Sequence, residues 1–218
     1  GSGGGSSSST DEVPIIDLGP LRRGETGGVV RQVANACADW GFFQVVNTDV
    51  DTDVIARFEE QMRVFFALPM ETKRAMRRGA DNARGFFDDE LTKQRRDWKQ
   101  GLDFGATPVR DWSLPDEHPA HANLDGFNRF PPAELAPRFR PAMTDYFVAL
   151  TELSERLSRV MAVGLEMPAD YFADALRQRH TSFLRLNYYP PCTEPGPPPP
   201  LGISPHKDAG FLTVLAQD

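Results

Sequence analysis

The run 142–164 is the strongest constraint on what this chain can fold into. Tyr146, Phe147, Leu150, Leu153, Leu157, Val160 and Met161 recur at the i, i+3, i+4 spacing of one helix face. A stripe that long is stable only when it is buried against another element. It predicts a long helix, about Ala142 to Gly164, packed on a sheet. Pro131, Pro132, Pro137 and Pro141 mark a turn region before it.

The other elements are read against this helix. Val13 to Leu18 is a short apolar segment bounded by Pro and Gly, which predicts an edge strand. Val29, Val33, Cys37 and Trp40 stand near helical spacing, and Gly41 stops that helix. Phe42 to Val46 reads as a buried strand. Asp51 or Thr52 caps a second helix whose inner face is Val54, Phe58, Met62, Phe65 and Phe66, with Pro69 at its end. The stretch 73–125 is polar and irregular. In it Lys93, Arg95, Arg96 and Lys99 stand among Asp88, Asp89, Glu90 and Asp97, which reads as a solvated, salt-bridged surface. After Asp170 the character changes. Residues 182–189 read as a strand, a stiff Pro-rich loop follows through Pro200, and 211–215 read as a second strand. Helices with a few strands, then strands, give α+β, with an antiparallel all-β element beginning near residue 182.

Composition bounds the function. The 218 residues suffice for one generous domain or two small ones. A net charge of -7 without a clustered basic face points away from nucleic acid. No apolar run approaches the ~20 residues of a membrane span. Two cysteines, Cys37 and Cys192, make no disulfide framework, which favours a reducing, cytoplasmic setting, although one bridge between them stays open. Gly1 to Thr10 is nearly all Gly and Ser and reads as a linker, tag remnant or disordered tail rather than a secretory signal.

The chemistry centres on His206-Lys207-Asp208. In an extended chain, residues i and i+2 point to one side. An imidazole and a carboxylate so placed suit non-haem Fe(II), which takes two His and one carboxylate on one face. An isolated H-x-D, judged without context, reads first as a structural or surface histidine. His118 and His121 lie in a Pro/Asp-rich loop at H-x-x-H spacing, and His180 lies just before the 182–189 strand. The two loop histidines read as exposed.

The order of motifs goes further than the H-x-D alone. Leu184-Arg-Leu-Asn-Tyr-Tyr-Pro-Pro-Cys192 precedes Gly202-Ile-Ser-Pro-His-Lys-Asp-Ala-Gly-Phe-Leu-Thr-Val-Leu-Ala-Gln-Asp218. Upstream stand Val13-Pro-Ile-Ile-Asp17, Trp40-Gly-Phe-Phe-Gln-Val-Val-Asn47, Phe65-Phe-Ala-Leu-Pro69 and Asn128-Arg-Phe-Pro-Pro132. From about Glu12 to Asp218 the chain resembles the isopenicillin N synthase-like family of Fe(II)- and 2-oxoglutarate-dependent dioxygenases. It departs at Thr48-Asp49, where His-Gly is frequent, and at Phe130, where Trp is common. The resemblance implies a helical N-terminal region followed by a double-stranded β-helix, or jelly-roll, core. It divides the chain into a tail (1–11), an N-terminal region (12–125), a linker with the long helix (126–180) and the start of the catalytic core (181–218).

Residue by residue, the resemblance makes His206 and Asp208 the first two iron ligands and the catalytic pair. Tyr189 matches a tyrosine that hydrogen-bonds 2-oxoglutarate, Asn187 a neighbouring polar contact, and Arg185 a residue near substrate or cosubstrate. Lys207 points away from the metal. Asp97-Trp98-Lys99 and residues 101–104 match a segment bordering the substrate pocket. Fe(II), 2-oxoglutarate and O2 are the implied cofactors, with ascorbate as an optional addition. The implied reaction couples decarboxylation of 2-oxoglutarate to succinate and CO2 with hydroxylation, desaturation or ring closure of a small organic substrate. A third ligand, His, and an Arg-x-Ser that holds the cosubstrate come from a later strand in the family. Residues 209–218 contain neither His nor Arg. The jelly-roll core is therefore expected to be incomplete in this chain. Two other readings stay open: an iron oxidase of the same fold that does not consume 2-oxoglutarate, and a truncated, non-catalytic binding module.

Overall fold

A computed structural model describes residues 12–80, 82–105, 126–174, 182–193 and 201–217. The Gly/Ser tail and His118, His121 and His180 fall outside these residues. The chain divides into two compact units, 1–50 with 151–178, and 51–150 with 179–218.

In the first unit, β1 (Ile15–Asp17) pairs in parallel with β2 (Gln44–Val46). A 3-10 turn at Gly19–Arg23 leads into α1 (Thr26–Asp39), which buries Val29, Val33 and Ala36. Gly41, at φ 78°, ends the helix by donating its N–H to the Ala36 carbonyl at 3.0 Å. Val29 and Val33 take the expected inner face of α1, but Ala36 rather than Cys37 continues it, and Cys37 is exposed. Cys37 and Cys192 are not bridged to each other. The expected buried strand at 42–46 is also corrected. β2 has three residues, its one ladder partner is β1, and Phe42 and Val46 are exposed. After β2 the chain turns through Asn47 (φ 54°) and Asp49 (φ 64°). The family's frequent glycine at this point suits a left-handed backbone. Asp is among the residues that tolerate it, and Asp49 here pairs with Arg22 and, at 3.0 Å, with Arg156.

The second unit holds α2 (Thr52–Ala67) and α3 (Met70–Arg74). Asp51 caps α2 by accepting the Asp53 N–H at 2.8 Å. β3 (Gly85–Phe87), β6 (Gln100–Gly105) and β7 (Phe183–Tyr188) form an antiparallel sheet in the order β3-β6-β7. β4 (Leu91–Thr92) and β5 (Arg95–Arg96) form a hairpin that turns at Lys93 and Gln94, both at positive φ. So 73–125 is not simply irregular: β6 crosses it as a buried central strand.

α4 (Phe139–Gly164) begins one turn earlier than its stripe indicates and serves both units. In the first unit it buries Leu153, Leu157 and Val160, and a Cβ on Gly164 would lie 3.3 Å from Ala34 Cβ of α1. In the second unit it packs on α2 as well as on the expected sheet. Tyr146 stacks on Phe58 at 3.7 Å between centroids, and Phe139 meets Phe65 at 5.3 Å. Sheet residues Phe86, Leu102, Phe104 and Leu186 complete that core. Residues 211–215 join no sheet among the described residues, and Leu215 is exposed. The expected second strand is therefore absent there, because a strand is defined by a ladder partner and none is supplied. No described helix is long and apolar enough to cross a membrane.

Phe65 is fully buried between α4 and β3. Phe65→Ala is expected to lower stability by about 3–5 kcal/mol. Val148→Ala, on the exposed side of α4, should change it by less than about 0.5 kcal/mol. Urea unfolding of the two variants checks both values.

Candidate metal and cosubstrate site

The pleat of β7 sends alternate residues to opposite faces. Leu184, Leu186 and Tyr188 turn to the aromatic core, where Tyr188 stacks on Phe66 at 5.2 Å. Arg185 and Asn187 take the other face, and Tyr189 continues their side just past the strand. Register fixes their neighbours: Arg185 stands opposite Asp103, and Asn187 opposite Gly101. Gly101 also faces Phe87 of β3. A Cβ on Gly101 would lie 2.1 Å from Phe87 Cζ, so only glycine lets that ring lie across the strand. Arg78 and Arg185 flank the ring, 3.9 and 4.8 Å from its centroid.

Around Phe87 the charges interlock. Arg185 grips Asp103 with two bonds of 2.8 Å and reaches Glu90 at 3.2 Å. Arg78 meets both of these carboxylates at 3.3 Å. Lys99 meets Glu90 at 2.6 Å and Asp97 at 3.7 Å, and Asp97 accepts the Thr92 hydroxyl at 2.7 Å. Asp97, Asp103 and Lys99 are 2%, 4% and 5% exposed. The expected solvated surface holds for Lys93, Arg95, Arg96 and Asp89, which are exposed, and is corrected for Asp97 and Lys99. Asp88, paired with Arg77 and Arg74, is buried as well. The reason is pairing: Arg78, Lys99 and Arg185 are matched by Glu90, Asp97 and Asp103, and these close contacts offset the cost of taking each charge out of water. Burial pushes the Glu90 carboxyl up, but the Lys99 hydrogen bond and the Arg185 charge outweigh it and hold the group below its ordinary value of 4.5. Tyr189 shifts upward, first through partial burial and then through the nearby Asp97 charge, so it stays a phenol able to donate.

His206 and Asp208 lie in an irregular segment rather than a strand, yet their side chains meet as i, i+2 spacing predicts. His206 Nε2 is 3.1 Å from Asp208 Oδ1. His206 Nδ1 is 2.9 Å from the Ser204 carbonyl oxygen. A carbonyl only accepts, so Nδ1 carries the hydrogen. In the neutral ring Nε2 is then a lone pair facing a carboxylate, two acceptors at contact distance. That arrangement calls for a cation, either a proton on Nε2 or a metal ion shared with Asp208. A mixed N/O pair of this kind fits Fe(II). Among the described residues no group of three His, Cys, Asp or Glu gathers, so this pair stands without a third ligand there.

The segment 201–208 is attached to the sheet face at Gly202, where a Cβ would lie 2.6 Å from the Tyr189 ring. Asn187 Oδ1 is buried with no hydrogen-bond donor among the described residues. The structure therefore brings His206 to Asp208, and sets Asn187 and Tyr189 along one face. It turns Arg185 toward Asp103 and Glu90. From sequence, Glu90 reads as part of a salt-bridged surface and Asp103 as part of the 101–104 segment bordering the substrate pocket, and neither is marked as a partner of Arg185. The alternation Gly101-Leu102-Asp103-Phe104, opposite a similar run in β7, is the signal that could have found Asp103.

Residues 13–133 match the family model for the non-haem dioxygenase in morphine synthesis N-terminal region, and residues 180–218 match that of the 2OG-Fe(II) oxygenase superfamily. The chain belongs to this superfamily. It is 33% identical to jasmonate-induced oxygenase 2 of Arabidopsis thaliana over 213 residues, 94% of this chain and 53% of that protein. It is 32% identical to gibberellin 20 oxidase 2 of Oryza sativa, covering 95% and 51%. A crystal structure of JOX2 in complex with 2OG, Fe and JA superposes with a TM-score of 0.68 at 29% identity, covering 91% of this chain and 53% of that one. The chain spans about half the length of the curated relatives it matches.

Two outcomes follow from the charge layer. Asp103→Ala leaves Arg185 and Arg78 short of a buried partner and is expected to cost about 3–5 kcal/mol, read by urea unfolding. Because the folded Glu90 carboxyl lies below its unfolded value, its contribution is full above that value and is lost as pH falls through the folded one. Stability below about pH 4.5 should therefore fall more steeply in the wild type than in Glu90→Gln. Thermal unfolding across about pH 6 to pH 3 compares the slopes.

Proposed function

We propose that the whole protein of which this chain is part is an Fe(II)- and 2-oxoglutarate-dependent oxygenase acting on a small organic substrate. The carrying observation is the His206 ring, with Nδ1 committed to the Ser204 carbonyl and Nε2 turned to the Asp208 carboxylate. This is the outer-sphere hydrogen bond that presents a neutral imidazole to a metal. The superfamily match over 180–218, which includes both residues, supports the assignment of His206 and Asp208 as metal ligands and catalytic residues. So does the Fe and 2OG of the JOX2 complex.

Bound iron with 2-oxoglutarate and O2 supplies the oxidising power, releasing succinate and CO2. The chain's residues do the holding. The Tyr189 phenol donates a hydrogen bond to the cosubstrate. The Asn187 amide donates to an anionic ligand through its NH2, while its Oδ1 takes a donor the ligand or a water provides. Arg185 serves as the cationic wall behind these groups, held by Asp103 and Glu90. The core that carries them is read as the start of a jelly roll completed by further strands, and the two family models, 13–133 and 180–218, support the sequence's division near residue 181. A cytoplasmic location goes with this reading.

Anaerobic titration with Fe(II), then succinate formation from 2-oxoglutarate, tests the proposal. His206→Ala and Asp208→Ala should each weaken Fe(II) binding by at least about tenfold and remove succinate formation. Unchanged iron affinity in folded His206→Ala would overturn the ligand assignment.

A further inference from the structure

The segment that carries His206 and Asp208 has no regular secondary structure of its own. Something outside it must fix its position. Two bonds from one residue do so at its start and at the end of β7. The Trp98 main-chain N–H donates to the Leu201 carbonyl at 2.9 Å. The Trp98 indole N–H donates to the Pro190 carbonyl at 3.1 Å.

The choice of donor has a physical reason. Pro190 and Pro191 have no N–H, so that stretch can be tied down only through its carbonyls. A tryptophan indole donates and never accepts, and when buried it needs an acceptor. The anchor is itself anchored. Asp97 N–H donates to the Glu90 carbonyl at 3.0 Å, the Asp97 carboxylate takes the Thr92 hydroxyl, and Lys99 is held by Glu90. Both neighbours of Trp98 are thus fixed in the buried charge layer. From Leu201 the chain passes Gly202, pressed on the Tyr189 ring, and the buried Ser204, whose carbonyl orients His206.

We propose that Trp98 is a positioning residue for the iron-ligating pair. Its two N–H groups join the end of β7 to residues 201–208, so that Tyr189 and His206 are held on one support. The inference rests on the reading of His206 and Asp208 as iron ligands.

Trp98→Phe keeps an aromatic ring and the main-chain N–H and removes the indole donor. In the full chain, amide hydrogen exchange at the Tyr188 end of β7, where it pairs with Gln100, should speed up by at least about tenfold, with the Phe65 core protected as in the wild type. Fe(II) affinity, titrated anaerobically with the metal alone, should fall by about tenfold. A folded Trp98→Phe with wild-type exchange at that end of β7 and wild-type Fe(II) affinity would overturn the proposal. If the variant fails to fold, the wild-type Trp98 indole proton decides. Slow exchange with solvent supports the bond, and exchange as fast as that of an exposed indole refutes it. The two readings separate cleanly. Wild type and His206→Ala with the same Fe(II) affinity would sink the ligand assignment, while the exchange rates still decide the anchor.

Discussion

The antiparallel pairing of β6 with β7 is the constraint on which the second unit depends. Six residues of each strand are in register, from Gln100 opposite Tyr188 to Gly105 opposite Phe183. A slip of β7 by one residue would turn all of its side chains to the wrong face. Leu184 and Leu186 would leave the aromatic core, and Arg185 would enter it. Both errors are costly, so the apolar and the ionic layers specify the same register from opposite sides. A third device agrees with them, since Gly101 is the position at which the Phe87 ring can cross the strand.

The ionic layer has an uncommon character. Buried ion pairs often add little net stability, because desolvation offsets attraction. Their value here is geometric. Arg185 is gripped by Asp103 with two bonds and steadied by Glu90, and the same Glu90 holds Lys99 beside Trp98. Rigidity is passed from the sheet to the segment that bears His206. Lys73 makes a related link to neutral acceptors. Its ammonium donates to the Phe66 carbonyl at 2.7 Å, near the end of α2, and to Gln100 at 2.9 Å in β6. Burial lowers its pKa, although the Asp88 charge works in the other direction. A cation at a helix C-terminus is favoured by the helix dipole.

Much of this was legible in the residues. The stripe of α4, the cap at Asp51, the inner face of α2 and the strand at 183–188 follow from periodicity and capping alone. The H-x-D spacing foretold that His206 and Asp208 would meet. The charged middle was not legible, because a charge in a sequence carries no mark of its partner. Asp97 and Lys99 read as solvent-facing until Glu90 and Thr92 are placed beside them. β2 and 211–215 were misread for the opposite reason. Apolar residues there meet too few partners to be covered, and strand propensity does not by itself provide a neighbour. Arg185 illustrates the limit of motif matching, which fixed its position in the chain but not which carboxylates it would face.

The bonds that build the site face span long stretches of chain. Arg185 is 82 residues from Asp103 and 95 from Glu90, and Trp98 is 92 from Pro190. The aromatic core can begin locally, since Phe65 and Phe66 share the end of one helix. The ionic layer and the Trp98 anchor cannot, because each requires a large loop to close first and gains nothing until it has closed. The face that bears Asn187 and Tyr189 therefore cannot form before β7 pairs with β6. The same pairing brings Leu186 to the aromatic core and Arg185 to Asp103 and Glu90, so one loop closure supplies both layers at once.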